Sequence, residues 1–183
     1  QPSVTHQVAQ FALPRPGHLI ASRQHRIGIT GMTHHQHVLV RPRDRARIAA
    51  DVREMRAMIA KEKGTDDLWD LKQVRGGLVD LEFIAQYLQL VAAADQPEVL
   101  DQNTSRAFQK LGAAGCLEAA DAEALIAATR LIHDLTQVVR LCQDGPFDPA
   151  SAPKGLRELA ARAGDSPSFE ALELKLKDIL AET

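Results

Sequence analysis

From residue 43 onward, apolar side chains return every three or four positions, a spacing that only a helix turns into a face. Ile48, Val52, Met55 and Ile59 make the first such face, and Gly64 supplies its stop signal. A second period runs over about 78–94. A third, over about 104–114, opens at Asn103 or Thr104 and closes at Gly115. The fourth starts near Asp121 and stops at Gly145–Pro146. After the proline-rich PFDPASAP, Pro153 suits the first turn of a short helix ending at Gly164, and Ser166–Pro167 caps a last helix to about 181. Alanine and leucine dominate the apolar set while aromatics are only 4%, which favours helix over strand. The expectation is an all-α bundle of about six helices over 42–183, preceded by an irregular segment over 1–41.

Charge marks the same boundary. The first 43 residues hold Arg15, Arg23, Arg26, Arg41 and Arg43, six of the seven histidines and no acid. The rest carries the other 17 of the 22 Lys and Arg against all 24 acids, and that acidic balance argues against nucleic acid as a partner. Cys116 and Cys142 lack metal-type spacing, so a reducing cytoplasm is the expected setting. No run reaches the roughly 18 apolar residues of a membrane span, and no secretory signal is visible. Since the chain starts at Gln1 and not Met, it reads as a piece of something longer.

One stretch, KQVRGGLVDLEFIAQYLQL at 72–90, breaks the ordinary pattern. At about 100° per residue from Leu78, Phe83, Ile84, Tyr87, Leu88 and Val91 gather on one side with Asp80 among them. Glu82, Gln86 and Gln89 gather opposite, so Asp80 and Glu82 stand about 200° apart and are no paired general acid and base. A carboxylate in an apolar stripe needs partners. Either it sits in the first helical turn, welcomed by free N–H groups and paired with Arg75, or the Gly76–Gly77 pair lets the backbone approach a ligand while Arg75 or Lys72 meets a phosphate. Both readings stand on the residues alone.

The longer string LKQVRGGLVDLEFIAQYLQL closely resembles the motif that follows the catalytic domain in bacterial glutamine synthetase adenylyltransferases. The likeness extends through RPRDRARIAADVREMRAMIAKEKG, PEVLDQNTSRAFQKLGAAGCL, LTQVVRLCQDG and FDPASAPKGLRELAARAG, and so over about residues 40–183. The resemblance implies the helical domain of the adenylylating half, related to that of PII uridylyltransferase. It would serve transfer of AMP from ATP, with Mg²⁺, to a tyrosine of glutamine synthetase. The implied partners are a nucleotidyltransferase domain of the same polypeptide, glutamine synthetase and the PII signalling protein. Matching the motif carries over Arg75, Gly76, Gly77, Asp80, Glu82 and Phe83, with Lys72 beside them, as nucleotide-binding or cleft-facing candidates.

The chain departs from that family in two ways. No Gly-Ser turn precedes a D-x-D here, so it lacks the metal-holding half of the machine and is expected to be inactive alone, with no cofactor of its own. Residues 1–40 do not resemble the family, a break that a joined or frame-shifted coding sequence would produce. Other functions remain open: a non-catalytic regulatory module binding PII or glutamine synthetase, or the uridylyltransferase helical domain, whose nucleotide is UTP. On the fourth helix Arg130, Gln137 and Arg140 make either an interdomain face or a solvated polar face. The His34, His35 and His37 cluster reads as incidental surface histidines better than as a metal site, His133 as structural, and Trp69 as a core anchor.

Overall fold

A computed structural model of the chain describes residues 38–183. Nearly all of the segment expected to be irregular, with His34, His35 and His37, lies outside the described residues. Among the described residues there are six α-helices, α1 Arg45–Lys63, α2 Leu78–Ala92, α3 Thr104–Ala113, α4 Ala119–Cys142, α5 Lys154–Ala163 and α6 Phe169–Glu182, with a 3-10 turn at Pro97–Val99. The longest, α4, is the hub and packs against α2, α3 and α5; α1 lies on α2, and α6 on α5.

Local signals account for most ends. Asp44 caps α1 by accepting from the N–H groups of Ala46 and Arg47, and Asn103 caps α3 by accepting from Arg106. Gly115, at φ 69°, lets the chain turn out of α3. The start of α6 needs a correction. Its cap is Ser168, which accepts from the N–H of Ala171, and not Ser166–Pro167. Ser166 instead donates its hydroxyl to the Gly164 carbonyl.

Phe108, Leu111, Ile132, Leu135, Leu172 and Leu176 are fully buried at the centre. Each such side chain contributes about 1.5–3 kcal/mol relative to exposure. Helix α1 is peripheral: it buries no residue and leans on the core through Ile48, Ala49 and Val52. Met55, expected on that packed face, is 51% exposed. The packed face is instead made of Ile48, Ala49 and Val52, with Arg56 partly buried beside it and paired with Asp80 of α2.

The connector 64–77 is pinned from behind. Trp69 is buried as expected, stacked on Phe169 at 5.2 Å between ring centroids and tilted against Phe147 at 4.5 Å. Its indole N–H donates to Oε1 of Glu173 at 3.0 Å, so one side chain ties the connector to α6 and to the loop after α4.

A polar staple orders the turn into α3. Asp101 takes Arg106 and Lys110 at 3.1 and 3.0 Å, while its own N–H donates to Oε1 of Gln89 on α2. Burial raises the Asp101 pKa, but hydrogen bonds from the Asn103 N–H, Lys110 and Arg106 outweigh it and lower the value from 3.8 to about 2. The folded chain thus takes up this proton less readily than the unfolded one. The contribution to stability is complete above about pH 4 and disappears as pH falls toward 2. Asp101→Asn is expected to cost about 1 kcal/mol at pH 7 and to flatten the acid limb of a urea-midpoint profile between pH 4 and 2.

Candidate functional site

The glycine pair sits at the helix start that the sequence implies, Gly77 being the N-cap of α2. Gly76 has φ 79°, a conformation that favours glycine. Its N–H donates to Oδ2 of Asp80 at 2.7 Å. Asp80, in the first turn of α2 and 8% exposed, also accepts two bonds from one edge of a guanidinium: Arg56 donates from Nε to Oδ1, and from Nη2 to Oδ2 at 3.0 Å. This is the fork-to-fork geometry that suits arginine and carboxylate. A partner of the misfit carboxylate is therefore Arg56 of α1, which the sequence did not point to.

At the twin glycines the space that a side chain would take is already occupied. A Cβ at Gly76 would stand 2.8 Å from the Leu180 carbonyl carbon and 2.9 Å from its Cα; one at Gly77 would stand 2.6 Å from the Leu71 carbonyl oxygen. Protein backbone already fills both spaces. The opening N–H groups of α2 are likewise engaged, Leu78 donating to the Leu71 carbonyl and Val79 to that of Lys72. Glycine here serves the packing of α6 and of the connector.

Chemistry is left to side chains around a cleft of about 500 Å³ between α1 and the connector. Arg53, Arg56 and Arg75 line it together with Asp66, Gln73 and Asp80. Arg53 and Arg56 come from adjacent turns of α1, and Arg75 from the residue before the Gly76 turn. The field there is felt nearby: burial pushes the Tyr87 hydroxyl pKa up, while Arg53 and Arg45 pull against it. The Oε1 atom of Gln73 is buried with no hydrogen-bond partner among the described residues.

Of the sequence candidates, only Arg75 and Asp80 line this cleft. Lys72 is exposed, Glu82 is half-buried on α2, and Arg130, Gln137 and Arg140 run along the exposed side of α4. Sequence reasoning missed Arg53, Arg56, Asp66 and Gln73. The three-residue spacing of the two α1 arginines was the available signal, but nothing local says what they face. No group of three or more His, Cys, Asp or Glu able to hold a metal ion occurs among the described residues. No described helix is long and apolar enough to cross a membrane. A second cleft, of about 510 Å³ at the start of α6, mixes Lys154, Arg157 and Arg162 with Glu158 and Glu170.

Comparison with known proteins adds ancestry to this geometry. A family model described as GlnD PII-uridylyltransferase matches residues 53–181. The bifunctional glutamine synthetase adenylyltransferase/adenylyl-removing enzyme of Rhodopseudomonas palustris (strain BisB5) is 52% identical over 145 residues, covering 79% of this chain and 15% of that protein. Its namesake in Bradyrhizobium sp. (strain BTAi1) is 50% identical over 147 residues, 80% of this chain and 15% of that protein. The one in Xanthobacter autotrophicus is 46% identical over 145 residues, with 79% and 15% covered. The chain thus spans about 15% of the length of these curated relatives. No solved structure matches it significantly.

Proposed function

The chain belongs to the GlnD PII-uridylyltransferase family, among relatives named glutamine synthetase adenylyltransferase/adenylyl-removing enzyme, and on that premise we propose that it is the helical domain serving the adenylylating half of such an enzyme. The parent is a cytoplasmic nitrogen-regulating enzyme that transfers AMP from ATP to a tyrosine of glutamine synthetase and answers to the PII protein. The tyrosine oxygen bonds to the α-phosphorus, the α–β bridging P–O bond breaks, pyrophosphate leaves, and the hydroxyl proton is lost. Mg²⁺ belongs to the nucleotidyltransferase domain. The described residues of this chain hold no group of three or more His, Cys, Asp or Glu that could ligate it.

What this domain contributes is a rigid arginine-lined wall. The observation that carries the reading is the convergence of Arg53, Arg56 and Arg75 on one cleft beside the R-G-G turn. Facing the catalytic domain, such a wall holds negative charge where it accumulates on the triphosphate during transfer. Relatives that are 46–52% identical and named for adenylylation favour ATP; the match to a uridylyltransferase model keeps UTP as the second reading. Nucleotide selectivity of the full-length enzyme separates them.

Arg53 and Arg75 are exposed, so replacing them spares the core. Arg53→Glu with Arg75→Glu in the full-length enzyme is expected to lower adenylylation at least tenfold, about 1.4 kcal/mol of transition-state stabilisation, while the circular dichroism of the 183-residue chain stays unchanged. Unaltered adenylylation by the folded double variant removes the cleft from the reaction.

A further inference from the structure

We propose that α1 is a detachable arm that leaves and rejoins a persistent body of α2–α6 as one unit, with the Arg56–Asp80 pair as its catch. The two sides of the cleft have different footing. Arg53, Arg56, Ala57 and Ala60 come from α1, whereas Asp66 and Gln73 come from the connector. The connector is fastened to the body by buried Trp69, stacked on Phe169 and bonded to Glu173. Helix α1 has no such anchor. None of its 19 residues is buried, while α4 alone buries seven.

What holds α1 in place is slight but specific. Ile48, Ala49 and Val52 reach the core only in part. The Arg45–Asp95 pair, at 3.6 Å with side chains 44% and 78% exposed, holds little. Among the described residues, the largely buried polar tie between arm and body is the Arg56 fork on Asp80. Moving α1 away returns both charges to water, so the tie selects the docked position more than it deepens it. The arm also carries its own determinants of helix. Asp44 caps it, strong helix formers fill it, and Lys61 and Lys63 suit the negative end of its dipole. Its length exceeds the about 12–15 residues below which a lone helix is marginal. It therefore parts from the body as a piece, pivoting at Gly64, its C-cap. Few buried apolar contacts mark an element that opens below the global free energy. Docked, the arginine wall is rigid; with α1 away, the cleft has one side, and Ile48 and Val52 meet water. This holds whatever the cleft binds.

Native-state hydrogen exchange of the full 183-residue chain in low urea tests the arm. Amides of residues 52–59 are expected to exchange through one shared opening, with at least about a hundredfold less protection than those of 131–135 in α4. Ile132→Val, at a fully buried position of the body, should lower α4 protection about 2- to 12-fold and leave α1 unchanged. Arg56→Met should lower α1 protection at least about tenfold, because docked Asp80 then lacks its counter-charge. Equal protection of α1 and α4, or an Ile132→Val loss of equal size in both, makes the molecule one unit and overturns the arm. Protection that declines smoothly toward the ends of α1 is fraying and overturns it as well. Unchanged α1 protection in Arg56→Met overturns the catch. The wild-type comparison decides the arm even where a variant fails to fold.

Discussion

Asp80→Ala will destabilise the bundle by about 3–5 kcal/mol, because it strands the Arg56 guanidinium in a largely buried position with no counter-charge. The Arg56 side chain is 14% exposed and that of Asp80 10%, so water compensates little. The Gly76 N–H loses its acceptor in the same change. Replacing both partners by apolar residues of similar size, Arg56→Met with Asp80→Leu, is expected to cost much less than Asp80→Ala alone, since no lone charge remains. Urea unfolding of the two variants and the wild type gives the comparison. A double variant as unstable as Asp80→Ala would show that the Gly76 hydrogen bond, and not the ion pair, is what Asp80 supplies.

Gly76→Ala carries a loss of similar size by a different route. Left-handed backbone at a non-glycine residue costs about 1–2 kcal/mol. The new methyl also stands under 3.0 Å from the Leu180 carbonyl carbon and Cα, backbone atoms that cannot rotate away. Pushing α6 back adds about 1–3 kcal/mol of overpacking. The sum is about 2–5 kcal/mol, a large share of the 5–15 kcal/mol typical of a domain. Gly115→Ala provides the control, for it shares the positive φ but meets nothing within 4 Å, so only the backbone cost should appear. Equal losses at the two glycines would remove the contact with α6 from the account.

How far the sequence discloses this molecule depends on the distance over which each cause acts. Asn103, Gly115 and Gly164 end helices through bonds spanning three or four residues, and those ends are readable. Trp69 is readable as an anchor because so large an apolar ring in a polar connector has few other uses. Asp80 is readable as a misfit, since its place in an apolar stripe is a local matter of period. Its partner is not: Arg56 lies 24 residues away on a helix whose face sequence alone centres on Met55. The reason for Gly76 is still more remote, in a backbone carbonyl of α6 that no periodicity reveals. Gly77 looked available to a ligand for the same reason, since local rules do not count the neighbours that fold onto a turn.

The lone tryptophan has a use beyond packing. Because Trp69 is the sole indole, lies flat on Phe169 and bonds to Glu173, its emission is an intrinsic optical gauge of whether α6 is seated. The same helix presents Leu180 to Gly76, so this one fluorophore follows, without any label, the loosening of the turn that displays Arg75.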